Sequence, residues 1–283
     1  MLRPILGLLL AAAVTPCAQA AQSYDNCAGV ITSLPATIST QGTWCLKDNL
    51  ITGITTGNAI TIATNNVTID CNDFKVGGLP AGDATNAVGI YSSDKLNTTI
   101  RNCGIRGFMH GIFLAGDKTS GTLVENNRLD QNTYRAIEIH GGGHVVRNNR
   151  IVDTGGRPNA TNSVGIQVTG TESLIADNLI SGLTVTNANG VLVGINALGG
   201  TSEVSRNLIS GIIPGQGNAV RAITVGASRA NAIRSNTVLS NPGVNGYAVT
   251  AGTSNICTDN KIIGYSSSFV GGCSNGGGNA YRK

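Results

Sequence analysis

Val124-Glu125-Asn126-Asn127-Arg128-Leu129 is followed, 22 residues on, by Val146-Arg147-Asn148-Asn149-Arg150-Ile151. The shared pattern, apolar-x-x-Asn-x-apolar, decides the fold. It recurs over 69–74, 100–105, 175–180, 204–209, 233–238 and 257–262, with Asn72, Cys103, Asn127, Asn149, Asn178, Asn207, Asn236 and Asn260 at the fourth position. Successive copies lie 31, 24, 22, 29, 29, 29 and 24 residues apart. That length suits one coil of three short strands and is too short for a propeller blade.

A second pattern alternates with the first: a small residue, then apolar-x-apolar. It reads Ala59-Ile60-Thr61-Ile62, Gly111-Ile112-Phe113-Leu114, Ala136-Ile137-Glu138-Ile139, Gly165-Ile166-Gln167-Val168, Gly190-Val191-Leu192-Val193 and Ala222-Ile223-Thr224-Val225. Period-two alternation sends the flanking apolar residues inward and the middle one outward. Coils stacked about 4.8 Å apart would pair every backbone group with its neighbour. Asn suits the corner because it tolerates left-handed backbone angles and its amide can hydrogen-bond to the Asn stacked above. The Asn column is therefore expected to be structural.

Composition agrees. Charged residues make up 12% of the 283 and aromatics 4%, while Gly numbers 39 and Asn 30. Such a mixture feeds short strands and tight turns rather than long amphipathic helices. The first twenty residues read as an export signal: Arg3, an apolar run over 5–14, and Ala18-Gln19-Ala20 as the cleavage site. The mature chain is expected to begin at Ala21, in the periplasm, at the cell surface or in the medium. Residues 21–58 read as an N-terminal cap, 59–265 as the repeats of one domain, and 266–283 as a C-terminal cap and tail. No later stretch reaches the length of a membrane span. The formal charge of +4, one less once Arg3 is removed, gives no nucleic-acid footprint and does not oppose an anionic glycan. A monomer is expected.

Two segments, 97–108 (Asn-Thr-Thr-Ile-Arg-Asn-Cys-Gly-Ile-Arg-Gly-Phe) and 66–71 (Asn-Val-Thr-Ile-Asp-Cys), resemble those of secreted bacterial proteins of the pectin-lyase-like superfamily. The resemblance covers roughly residues 27–270 and implies an all-β, single-domain right-handed parallel β-helix with capped ends. It says less about function, because that superfamily includes lyases, hydrolases, epimerases and adhesins. Six cysteines remain after the leader and allow fifteen pairings. The repeat register narrows these by setting Cys71 and Cys103 at neighbouring corners, and the expected pairing is Cys27–Cys45, Cys71–Cys103 and Cys257–Cys273. No spacing suits a thiolate metal site. The chain between the Asn corner and the next small-apolar strand varies most, so excursions over 75–88, 152–164 and 210–221 leave from one corner. In enzymes of this resemblance such loops wall a groove.

The outward column beside that groove reads Thr61, Tyr91, Phe113, Glu138, Gln167, Leu192 and Thr224, with His140 one step along and Arg135 and His110 at the edge. As a site for polysaccharide, Tyr91 and Phe113 would stack on sugar and Gln167 would bind it. As a lyase site, Arg135 would neutralise a uronate, His140 or His110 would take the proton, and Glu138 would orient a histidine. One acid in the column falls short of a calcium ligand set, so no cofactor is implied. Asp130 and Asp153 are too isolated for paired acid-base work, and no Asp-Pro-His motif occurs. His140-Gly141-Gly142-Gly143 resembles an esterase oxyanion loop but lacks Gly-x-Ser-x-Gly, so it reads as a turn. Asp70, Arg101, Glu125 and Arg147 alternate in sign at one outward position and read as a salt-bridge ladder. Arg128 and Arg150 share another outward position. They are either neutralised by Asp130 or Asp153 or form an anion-binding pair. The functional expectation is an exported polysaccharide-binding β-helix, with a lyase acting on an acidic glycan as its enzymatic form. The alternative is a non-catalytic surface or adhesin-like scaffold. A groove over Tyr91, Phe113 and Glu138 separates the two readings.

Overall fold

A computed structural model describes residues 26–283 apart from 216, 227–229 and 271. The segment read as an export signal, residues 1–20, lies outside the described residues. Short strands wind into a solenoid with three parallel ladders. The first ladder runs from Gly29–Ile31 through Val67–Asp70, Leu123–Glu125 and Val145–Arg147 to Ser274–Asn275. The second contains the strands after the Asn corner, including Lys75–Gly77, Gly104–Arg106, Arg128–Asp130 and Arg150–Val152. The third contains Asn58–Ile62, Val88–Ser93, His110–Ala115, Arg135–Ile139, Asn162–Val168, Val191–Ala197 and Ala219–Val225. The second and third fuse near the C-terminus because Thr237–Thr250 and Lys261–Val270 run unbroken round the bend between them.

Each ladder buries one column of like residues. In the third, Ile60, Ile90, Ile112, Ile137, Ile166, Ile195 and Ile223 stack in register, all fully buried. Each such side chain contributes roughly 1.5–3 kcal/mol by leaving water. The small residue before the buried isoleucine also has a cause: a Cβ on Gly111 would lie 2.7 Å from the Ala136 carbonyl oxygen.

At the corner between the first and second ladders the Asn column forms a continuous chain of amides. Asn127, Asn149, Asn178, Asn207, Asn236 and Asn260 each donate from Nδ2 to Oδ1 of the next, ending on Asn279, every bond 3.0 Å. Each Oδ1 also accepts the backbone N–H of the Asn one coil earlier. The expected left-handed angle, however, belongs to the preceding residue: Asn102, Asn126, Asn148, Asp177, Arg206, Ser235 and Asp259 carry φ of 53–59°. Only Asn72 of the column itself does so, at 48°. The column residues are Asn because of the amide, which a buried corner needs on both its donor and its acceptor side.

Gly29–Ile31 pairs with Gly42–Leu46, Ala36–Ile38 with Asn58–Ile62, and Leu50–Ile51 with Lys75–Gly77, so the ladders begin inside the segment read as cap. At the other end Ala280–Arg282 still pairs with Lys261–Val270. The disulfides are Cys27–Cys45, Cys71–Cys103 and Cys257–Cys273, the second joining consecutive coils at a Cα separation of 4.7 Å. Among the described residues no helix is long and apolar enough to cross a membrane.

Candidate functional site

The loops that join the second ladder to the third set the surroundings of the site. They span 78–87, 153–161, 182–190 and 211–218, whereas the two intervening coils close with short turns over 107–109 and 131–134. The excursion over 182–190 was not expected. Above the short turns, Arg157 reaches back three coils and donates to the Thr85 carbonyl and, at 2.7 Å, to Asn86 Oδ1. The two long loops are thereby tied together along the edge of the third ladder, where the strands His110–Ala115 and Arg135–Ile139 begin.

The outward column of these strands runs Thr61, Tyr91, Phe113, Glu138, Gln167, Asn196 and Thr224. Leu192 is not in it: that residue pairs with Ser163 and Val220 and is fully buried. Gly190-Val191-Leu192-Val193 mimics the repeat, but the strand is seven residues long and the true copy is Gly194-Ile195-Asn196-Ala197, four positions later.

Glu138 is the hub. It is only 4% exposed, and its Oε1 accepts from Arg135 Nη1 at 2.5 Å and Gln167 Nε2 at 3.0 Å, with His140 Nε2 at 3.2 Å. His110 Nδ1 lies 2.9 Å from Oε2. Burial alone would raise the carboxyl pKa, yet the contacts from His110, Arg135 and His140 outweigh it and hold the group at about 2. Glu138 is therefore an ionised anchor and not a proton acceptor at neutral pH. Although two histidines converge on it, among the described residues no group of three such side chains is arranged to hold a metal ion.

The rest of the cluster is aromatic. Phe113 stacks on His110 at 5.0 Å between centroids and meets His140 and Tyr91 edge-on at 5.5 and 5.7 Å. Tyr134, which sequence reasoning missed, places its ring 4.6 Å from the Arg135 guanidinium carbon and accepts a hydrogen bond from it. Asn196 extends the polar run by donating to Gln167 Oε1 at 3.3 Å. His144, also missed, is buried with its Nε2 donating to the His140 carbonyl at 2.9 Å. Burial pushes its pKa below the ordinary histidine value, against the pull of the His140 and Gly141 backbone. It thus braces, as a neutral ring, the turn that presents His140. That turn carries left-handed glycines at 141 and 143 and is the His140-Gly141-Gly142-Gly143 stretch, a connection between ladders.

The expected site residues thus divide. Arg135, Glu138, His140, His110, Tyr91, Phe113 and Gln167 come together on the third ladder. His140 is the most open of the ionisable ones, its side chain 30% exposed against 9% for His110 and 17% for Arg135. Arg128 and Arg150 stand on the second ladder, side by side in register. The alternating charges of the first ladder resolve into two separate pairs, Arg101 with Asp70 and Arg147 with Glu125, at 2.8 and 2.7 Å.

A family model described as right handed beta helix region matches residues 36–180. A search of curated proteins finds no match. Among solved structures, a Dettilon tailspike protein aligns over 89% of this chain and 60% of its own, at 11% identity and a TM-score of 0.47. An alginate lyase from Paenibacillus sp. aligns over 89% and 99%, at 13% and 0.44. The A-module of a mannuronan C-5 epimerase from Azotobacter vinelandii aligns over 91% of both chains, at 12% and 0.40. These likenesses concern the winding of the chain alone.

Proposed function

The chain belongs to the right-handed β-helix family, and from that premise we propose that it is an exported protein that binds a polysaccharide across the outward face of its third ladder. One observation carries the proposal: an ionised, buried carboxylate holds Arg135, Gln167, His110 and His140 around two part-exposed aromatics, next to a loop edge tied down by Arg157. Such a platform offers what a sugar chain needs, ring surface for its C–H faces and fixed polar groups for its hydroxyls, with little ordering left to pay for on binding. Tyr91 and Phe113 supply the surface; His140 and Asn196 supply the polar contacts. Export to an oxidising compartment agrees with three disulfides in a chain of this size. The test is a glycan array with the secreted protein. Binding that weakens at least tenfold in Tyr91→Ala and Phe113→Ala supports the platform, and silence across the array moves the reading to a non-catalytic scaffold.

A lyase is the second reading, favoured by His140, whose Nε2 faces the Glu138 carboxylate and whose side chain is the most solvent-open ionisable group of the cluster. With Nε2–H donated to Glu138, Nδ1 keeps its lone pair and could take the proton next to a uronate carboxylate while the glycosidic C–O bond breaks and the departing oxygen takes a proton from water. Arg135 would offset the substrate charge only by sharing its guanidinium with Glu138. The readout is absorbance from unsaturated uronate ends, lost in His140→Ala.

A further inference from the structure

The second ladder carries a feature that the platform does not use. Its outward positions form two columns. One reads Lys75, Gly104, Arg128 and Arg150; the other reads Ile51, Gly77, Arg106, Asp130 and Val152. Four cations therefore share one strip with a single carboxylate. Asp130 is divided between Arg106 at 3.3 Å and Arg128 at 3.8 Å, and Arg128 is 65% exposed all the same. Lys75 and Arg150 are exposed, and among the described residues neither has a carboxylate within 4.0 Å. Asp153, the other candidate neutraliser, makes no ion pair with Arg150.

Like charges directly opposite on adjacent strands are destabilising, so Arg128 beside Arg150 costs stability unless an anion sits across them. The glycines sharpen the arrangement. A Cβ at Gly104 would stand 3.0 Å from Lys75 Cγ, so the lysine stem passes over the glycine into the gap before Arg128. From Lys75 to Arg150 is three coils, about 14 Å at the usual inter-strand spacing. At the N-terminal end the strip opens into a concavity of about 390 Å³ lined by Ile51, Lys75, Leu79, Pro80 and Arg106 among others, where Ile51 is 69% and Leu79 42% exposed.

We propose that the second ladder is a separate binding strip for an anionic polysaccharide strand, lying along the solenoid axis with one sugar ring seated in the concavity. An acidic sugar presents an apolar C–H face and a carboxylate or sulfate on the same ring, which matches Ile51, Leu79 and Pro80 set beside Lys75 and Arg106. A chain of such rings repeats its charge along one line, as Arg128 and Arg150 do. Nucleic acid is less suited, because the strip carries no aromatic residue on which a base could stack. A membrane surface is less suited, because the apolar residues line a hollow rather than a crest.

The strip is on a different ladder from the Glu138 platform, so the two are tested separately. The full secreted protein is titrated at low salt with oligogalacturonate, with heparin oligosaccharide and with neutral dextran, alongside an Arg128→Gln/Arg150→Gln double variant, Lys75→Gln and Tyr91→Ala. Binding of at least one acidic oligosaccharide but not dextran is expected. The double variant should weaken it tenfold or more and flatten its salt dependence, and Lys75→Gln should weaken it several-fold. All these substitutions are at part-exposed or exposed positions, and circular dichroism confirms that the variants are folded. Unchanged affinity in the double variant, equal binding of dextran, no binding of either acidic probe, or tighter binding of duplex DNA or anionic vesicles than of the glycans each overturns the strip. A loss confined to Tyr91→Ala supports the platform and overturns the strip.

Discussion

Replacing Asn178 with leucine tests the amide column most directly. Asn178 is 1% exposed, and its Nδ2 serves Asn207 Oδ1, the Val146 carbonyl and the Ala176 carbonyl, all at 3.0 Å. Its Oδ1 accepts both the backbone N–H and the Nδ2 of Asn149. Leucine removes all of this and leaves at least the Asn149 N–H buried without an acceptor. One orphaned buried group costs roughly 1–3 kcal/mol, and the branched side chain must also fit the space of a planar amide, so about 2–4 kcal/mol is expected. For a chain of this size that corresponds to a fall of roughly 5–15 °C in melting temperature. Asn149→Leu should behave alike. Asn178→Asp separates the two roles, since it keeps the acceptor but cannot donate to Asn207. At neutral pH it should cost a comparable amount through a charge facing another oxygen. Because the left-handed angle belongs to Asp177 (φ 59°), Asp177→Gly should be nearly neutral, apart from its surface pair with Arg206. Unchanged unfolding curves for both leucine variants would refute the reasoning, and so would a larger loss at Asp177 than at Asn178.

Acid should loosen the third ladder. The Glu138 carboxyl is held at about 2 against an ordinary 4.5, so its contribution, about 3 kcal/mol at most, is complete above pH 4.5 and disappears as pH falls toward 2. Glu138→Gln should lose that pH dependence, as read by urea unfolding at stepped pH. Reducing Cys71–Cys103, which closes 32 residues, should cost about 4 kcal/mol on the chain-entropy estimate, and non-reducing peptide mapping should return three local bridges and no link between the ends. Arg157→Ala should release loop 78–87, seen as faster proteolytic nicking there with little change in global stability.

The fold was legible because its rule is one-dimensional. Ile100, Val124, Val146 and Ile175 stack because each occupies the same step of a coil, so spacing alone gave the register, and the register gave the Cys71 to Cys103 bridge. Reading failed where two steps of one strand look alike. Leu192 satisfies the small-apolar-x-apolar pattern as well as Asn196 does, and only the hydrogen-bonded partner, Asn196 opposite Gln167, separates them. The same ambiguity displaced the left-handed angle by one residue, since Asn126 and Asn127 are chemically identical and only the buried one completes the amide chain. Gly29–Ile31 and Ala36–Ile38 pair through their backbones without the repeat's side-chain signature, so the start of the ladders was not legible in the spacing.

What the repeat could not announce are the places where neighbouring coils differ, and there the site is built. In the third ladder, Phe113, Glu138 and Gln167 occupy one outward step in successive coils, and no two are alike. A scaffold selected only for stacking would favour like residues at that step, as the Asn column does. The glutamate is instead buried at the cost of its desolvation and held ionised by Arg135 and His140 of its own coil and His110 of the coil before, while Gln167 of the coil after donates to it. Burial of this kind is retained only where every partner remains in place, because removing one leaves a charge in a dry site. Arg135→Ala should therefore destabilise the protein more than Arg128→Ala, whose guanidinium is open to water, although both arginines begin outward-facing strands. If the two cost the same, Glu138 is not the hub that the distances describe, and the platform over it loses its anchor.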